Sequence, residues 1–174
     1  MTAQAAAATG AEPDLIVRRE GAAGIIRLNR PKAINAVTLE MFRDIDKALD
    51  RFEADPVIAV IVLEGAGERG LCAGGDIRAL YESSKVSGDL GKVLWREEYI
   101  LNARIAKFPK PYVAFMDGIV MGGGVGLSAH SSHRAARKRR YPPSDHGRTS
   151  GRSADDGRPP ARTSRRWQSR RSGS

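Results

Sequence analysis

Residues 57–84 read VIAVIVLEGAGERGLCAGGDIRALYESS, and three kinds of sequence follow one another within them. Residues 57–63 are an unbroken apolar run, the pattern of a strand buried on both faces of a sheet. Residues 65–75 hold five glycines in eleven positions, at 65, 67, 70, 74 and 75, around Leu71, Cys72 and Ala73. Asp76 then stands where an N-cap belongs, ahead of the helix-forming IRALYES. A second passage repeats the order. YVAFM at 112–116 reads as a strand, DGIVMGGGVG at 117–126 as a glycine turn, and a helix opens over 123–129. Strand, glycine turn and helix, twice in that order, indicate an α/β layered fold.

The flanking segments fit such a fold. DLIVRRE at 14–20 and GIIRLN at 24–29 are short runs rich in Ile, Val and Leu, and Gly21-Ala22-Ala23-Gly24 supplies the turn of a β-hairpin. NRPKAINAV at 29–37 carries a proline and no period, and reads as a loop. Thr38 is a good N-cap, and Leu39, Phe42, Ile45, Leu49 and Phe52 recur at spacings of 3, 3, 4 and 3. They form one apolar helix stripe, ended before Asp55-Pro56. A further helix is expected over 92–108, with Leu94, Leu101, Ile105 and Phe108 on one side, before Pro109 and Pro111.

Charge divides the chain. Residues 1–133 hold 16 basic and 17 acidic residues, whereas residues 134–174 hold 13 basic and 3 acidic ones and no Ile, Leu, Val, Met or Phe. With nothing to bury, 134–174 reads as a disordered, Arg-rich basic tail, and 1–13 as a disordered Ala-rich arm. A core therefore has to come from 14–133. No apolar run approaches the roughly 20 residues of a membrane-spanning helix. The N-terminus lacks a basic n-region and any Arg, so neither a signal nor a transit peptide is expected. Cys72, the only cysteine, excludes an intramolecular disulfide framework and fits a reducing compartment, with the cytoplasm as the expected setting.

Glycines just before a helix leave backbone N–H groups unpaired at its positive end. Such donors hold a phosphate, a carboxylate or the oxyanion of an acyl transfer. Close packing of helix on strand explains a single turn equally well; two similar turns point toward a shared anion site. Residues 122–126 (GGGVG) do not make G-x-G-x-x-G, and no Walker lysine follows. His130 and His133 have no further ligands placed to join them, so no metal is expected. Cys72, between Leu71 and Ala73, reads as a small buried residue rather than a nucleophile.

NRPKAINAV, GLCAGGDIRALYES and WREEYILNARIAKFPKPYVAFMDGIVMGGGVGLSAH together resemble the crotonase (enoyl-CoA hydratase/isomerase) superfamily, over about residues 14–133. Within it they are most similar to the hydrolase branch that acts on 3-hydroxyisobutyryl-CoA in valine catabolism. The resemblance implies a crotonase-like βα fold and an acyl-CoA substrate. It implies no separate cofactor, since coenzyme A belongs to the substrate, and leaves self-association open. It implies that the N–H groups of Gly75 and Gly123 form the oxyanion hole for the thioester carbonyl. Glu98, in the REEY segment 96–99, is implied to contact the acyl hydroxyl. Lys32 and Ala33, with the backbone of Ala73, Asp76 and Ile77, are implied to run along CoA. Hydratases of the family carry a catalytic glutamate where this chain has Gly126, which favours the thioesterase over the enoyl-CoA hydratase/isomerase alternative.

After His133 the resemblance stops, before the segment from which family members supply a Glu and an Asp for hydrolysis. The tail, with 12 Arg to 1 Lys, has the bias of a GC-rich frame read out of phase, so a frame change just after His133 and an incomplete, inactive domain are expected. Taken at face value instead, thirteen basic residues with Tyr141 and Trp167 would form a tether for nucleic acid or a membrane surface. A tether would follow a complete domain, whereas this tail interrupts one. As an incomplete domain, the chain would expose apolar sheet and helix faces and tend to aggregate.

Overall fold

The computed structural model describes residues 12–136; the expected arm up to residue 11 and the basic stretch from residue 137 lie outside the described residues. β1 (Leu15–Glu20) and β2 (Ala23–Leu28) form the expected hairpin, with Glu20 opposite Ala23. The turn is therefore Gly21-Ala22 alone, Gly21 taking the left-handed φ of 57° that such a turn demands. Gly24, read both as the end of the turn and as the start of the second run, is, like Ala23, a strand residue. A Cβ on it would stand 2.7 Å from the Phe52 ring, so its role is close packing.

The loop at 29–37 contains one 3-10 turn, Pro31–Ala33, and leads into α1 (Leu39–Ala54). The Thr38 hydroxyl caps α1 by accepting the Met41 N–H at 3.2 Å. All five residues of the apolar stripe are buried, at about 1.5–3 kcal/mol of favourable transfer each. After α1 the Asp55 carboxylate accepts the Val57 N–H at 2.9 Å. That local turn keeps Val57, 53% exposed, out of the sheet. The strand expected over 57–63 is thereby corrected to β3 (Val60–Gly65), in which only Ile61 and Leu63 are fully buried.

β4 (Gly70–Cys72) follows, then α2 (Ile77–Ser84) and α3 (Asp89–Ala106), the latter starting three residues before the expected helix. β5 (Tyr112–Phe115), β6 (Ile119–Val120), α4 (Gly123–Ala129) and β7 (His133–Ala135) complete the described elements. The main sheet runs β1-β2-β3-β5-β7; only the β1–β2 pairing is antiparallel. β4 and β6 pair in a separate two-stranded parallel sheet, inside segments that read as turns. Their brevity hid them. α1 packs on β1, β2 and α3, and α3 packs on α2 and α4. The core lies between, with Phe42, Ile45, Leu63, Leu71, Leu101, Tyr112 and Leu127 among its buried members.

One boundary moves. Arg134 and Ala135, assigned from composition to a disordered tail, belong to β7 and pair with Ala114 and Phe115. A strand ladder is made by backbone groups, here the Met116 N–H on the Ala135 carbonyl at 2.8 Å, and needs no apolar side chain at an edge. The Arg134 side chain contributes by donating to the Ala129 carbonyl at 2.7 Å.

Candidate active site

Each glycine turn spends its backbone donors on the fold and leaves one over. At the first, the Ala73 N–H goes to the Ile34 carbonyl at 2.9 Å and the Asp76 N–H to the Val37 carbonyl at 3.0 Å. The Gly74 N–H points to Cys72 Sγ at 3.3 Å. Gly74 also accepts the Val37 N–H at 2.8 Å, at a φ of 109° that excludes most side chains. At the second turn the Met121 N–H reaches the Cys72 carbonyl at 2.9 Å, and Gly122, at φ 48°, accepts the N–H groups of Val125 and Gly126. Gly123 is the first residue of α4, where no intrahelical acceptor exists. Among the described residues, the N–H groups of Gly75 and Gly123 are without a hydrogen-bond partner.

The two turns touch. A Cβ on Gly122 would lie 3.2 Å from Gly74 Cα, and one on Gly74 would lie 3.8 Å from Gly123 N. The positive φ at both positions is what favours glycine there. Gly75 and Gly123 line one cavity of about 650 Å³, together with Ile77, Leu80, Leu94 and Glu98. Two free donors from separate turns in one cavity are what binding an oxyanion requires.

Glu98 projects from α3 into this cavity. Its Oε1 is 3.5 Å from where a Cβ on Gly123 would stand. Burial raises its carboxyl above the ordinary carboxylate range, so it takes up a proton more readily than a surface Glu. Cys72 lies directly behind the turns. Burial pushes its thiol up to about 11, against the lowering hydrogen bond from Gly74, which suits the buried, unreactive role expected of it.

The residues expected along CoA divide. Lys32 and Ala33 line a different hollow, of about 470 Å³, with Asp14, Asn29 and Arg30. Their loop is held by Arg69, whose Nη2 donates to the carbonyls of Pro31 and Lys32 at 2.5 and 2.6 Å. Ile77 is 74% exposed at the mouth of the Gly75 cavity. Ala73 and Asp76 have their N–H groups occupied, as given above. The Asp76 carboxylate caps α2 through the Ala79 N–H and pairs with Arg30 at 2.8 Å. Burial pushes that carboxyl up, but Arg30 and the helix N–H groups outweigh it and hold it below the usual range.

Sequence reasoning passed over two polar residues that shape the site. Asn35 is fully buried with φ 55°; it accepts the Arg30 N–H at 3.0 Å and donates to the Ala66 and Gly70 carbonyls at 2.9 and 3.0 Å. It braces the loop that hydrogen-bonds the first turn. Its one sequence signal was an Asn in a loop, a residue that tolerates the left-handed region. Asn102 lines the cavity one turn beyond Glu98 on α3. It resembles any polar helix residue until the partner across from it is known. Among the described residues, no group of three or more His, Cys, Asp or Glu is placed to hold a metal ion, and no helix is long and apolar enough to cross a membrane.

Comparison with known proteins identifies the family. The profile of the enoyl-CoA hydratase/isomerase family matches residues 23–141, past the point where the sequence reading ended the resemblance. The mitochondrial 3-hydroxyisobutyryl-CoA hydrolase of Rattus norvegicus is 52% identical over 126 residues, covering 72% of this chain and 33% of the relative. The Homo sapiens enzyme of the same name is 45% identical over 131 residues, 75% of this chain and 34% of the relative. The chain thus spans about a third of the length of these curated relatives. Among solved structures, a carnitinyl-CoA dehydratase from Mycobacterium thermoresistibile is similar at 50% identity and TM-score 0.70, covering 72% of this chain and 37% of that one. An enoyl-CoA hydratase from Rhodobacter sphaeroides 2.4.1 follows at 44% and 0.68, covering 71% and 37%. The cytoplasmic setting expected from composition is overturned, because these curated relatives are mitochondrial. A lone cysteine marks a reducing environment, which does not distinguish one such compartment from another.

Proposed function

The chain belongs to the enoyl-CoA hydratase/isomerase (crotonase) family, and from that premise we propose that its cavity is the thioester end of a 3-hydroxyisobutyryl-CoA hydrolase site. The carbonyl oxygen of the thioester sits between the N–H groups of Gly75 and Gly123, and the acyl hydroxyl lies toward Glu98. Water adds to the carbonyl carbon, the two donors stabilise the resulting oxyanion, and collapse breaks the C–S bond to release CoA and the free acid. No separate cofactor or metal takes part. Coenzyme A runs from Gly75 past Ile77 toward Lys32 and Ala33, with Ala73 and Asp76 shaping the turn beneath it.

The observation that carries this reading is the pair of partnerless N–H groups on two touching turns in a cavity with a carboxyl whose charge is disfavoured. The identity of 45–52% to the two named hydrolases supports the substrate class. A hydratase-type reaction is the second reading, favoured by the names of the similar solved structures. Against it stands Gly126, at the position where the family's hydratases carry a carboxylate. Addition of water to an enoyl group needs that second acid/base.

In this proposal the 174-residue chain binds acyl-CoA weakly and does not turn it over, because Glu98 is the only carboxylate among the described residues that line the cavity. The test follows CoA release with a thiol reagent, which the protonated, buried Cys72 does not consume. The chain as written should be silent. A form in which the alternative reading frame continues from the end of the family match should hydrolyse 3-hydroxyisobutyryl-CoA. Gly123→Pro in that form removes one donor and strains the turn, where a Cβ already meets Phe42 at 3.3 Å, and should lower turnover by at least roughly 10²–10³-fold. Robust turnover by the 174-residue chain would overturn the incomplete-site proposal. A silent extended form would overturn the hydrolase assignment.

A further inference from the structure

Two helices face each other across the cavity in matched steps. On α3, Glu98 and Asn102 are one turn apart; on α4, Gly123 and Gly126 are one turn apart. A Cβ on Gly123 would stand 3.5 Å from Glu98 Oε1, and a Cβ on Gly126 would stand 2.5 Å from Asn102 Nδ2. At 123 that is ordinary contact, but at 126 the glycine makes room for the α3 side chain, and any larger residue there would collide with the Asn102 amide as it stands.

Asn102 is only 7% exposed. Among the described residues its side-chain amide has no hydrogen-bond partner at either end, and Oδ1 is buried outright. A buried amide without partners costs free energy that a Leu in the same space would not. The buried unpartnered atom is the acceptor Oδ1, whereas the Nδ2 end, which meets the Gly126 position at the cavity wall, is the donor left for a ligand. Glu98 by itself supplies an acceptor for the hydroxyl proton. A hydroxyl also carries lone pairs, and a site that reads it fully supplies a donor as well.

We infer that Asn102 is a specificity-determining residue for 3-hydroxyacyl groups: its Nδ2 donates to the substrate hydroxyl oxygen while the same hydroxyl donates to Glu98. Gly126 is the complementary half of the device, since its missing side chain is what admits the amide. An acyl group without the hydroxyl leaves both polar groups unpaired, so the pair selects hydroxyacyl over saturated and enoyl thioesters. This rests on the oxyanion-hole reading above, and deepens it.

The test measures binding of 3-hydroxyisobutyryl-CoA and isobutyryl-CoA to the full 174-residue chain, its Asn102→Leu, Asn102→Asp and Glu98→Gln variants. Affinities come from NMR titration, which reaches millimolar dissociation constants. The Asn102 amide pair is assigned by its loss in Asn102→Leu. The wild-type chain should prefer the hydroxylated ligand, and only that ligand should shift the Asn102 amide. Both Asn102 variants should lose roughly 3–10-fold of the preference, while Asn102→Leu keeps or gains thermal stability. A structural residue would instead lower stability and leave the preference intact. A wild-type preference retained in both Asn102 variants but reduced in Glu98→Gln overturns the role of Asn102 and leaves the site reading standing. Absence of any hydroxyl-dependent effect in the wild type, at millimolar ligand, overturns the hydroxyacyl reading and this inference with it.

Discussion

Replacing Gly124 by Ala and Gly91 by Ala is the same chemical change in two helices, and the structure gives it opposite signs. Helix propensity alone favours both, by at most about 0.8–1 kcal/mol, since both stand in a first turn. At Gly91 on α3 the new methyl meets the Trp95 ring at 3.5 Å and Leu80 Cδ2 at 3.7 Å, ordinary contacts. The gain should survive in full. At Gly124 on α4 the methyl would lie 2.6 Å from Cys72 Cβ and 2.8 Å from the Cys72 carbonyl oxygen. Carbon atoms rest at about 3.5–4.0 Å, so α4 or β4 has to retreat by about 1 Å. Cys72 is fully buried in a paired strand, and its Cβ and carbonyl are not the loose end of a side chain. Overpacking of this kind costs about 1–3 kcal/mol. Set against the propensity gain, Gly124→Ala should lose about 1 kcal/mol net while Gly91→Ala gains about as much. Urea denaturation of both variants beside the parent chain measures the difference. A Gly124→Ala chain as stabilised as Gly91→Ala would refute the close approach of α4 to β4, and with it the positioning of the Gly123 N–H.

Asn35→Ala should cost more than about 3 kcal/mol, because it orphans the Ala66 and Gly70 carbonyls and the Arg30 N–H and puts a Cβ residue without side-chain hydrogen bonds at φ 55°. A denaturation midpoint within the equivalent of about 1 kcal/mol of the parent would contradict that bracing role. For Glu98, burial raises the folded-state pKa above the ordinary 4.5, so its proton is bound more tightly in the folded chain. Its stabilising contribution is complete below the unfolded value and is lost as pH rises through the folded one. Glu98→Gln, which carries no charge, should therefore be more stable than the parent near pH 7 and equal to it near pH 4. A gain that did not vary with pH would mean that the carboxyl is not desolvated.

Much of the fold was legible because its signals are local. The Thr38 cap and the stripe from Leu39 to Phe52 lie within one helix, and α1 forms as that pattern requires. Asp76 caps α2 and Gly123 opens α4 for the same reason. Where the reading slipped, a competing interaction intervened. The apolar run at 57–63 lost its first residues to the Asp55 turn. β4 and β6 exist because each supplies the other's backbone partner, which neither segment signals alone. β7 continued past His133 because an edge of β5 offered a ladder to any backbone.

The sequence by itself determined which segments become helices, where the glycine turns fall and to which family the chain belongs. Caps, periodicity and motifs act over a few residues and survive without knowledge of the rest. Only the tertiary structure decided what the site contains. Whether an N–H is free at Gly75, whether an amide is stranded at Asn102, and whether Gly126 or another residue faces it are matters of contacts between segments far apart in the chain. Hydrogen-bond satisfaction and desolvation are sums over such contacts, and those sums exist only once α3 and α4 are packed together.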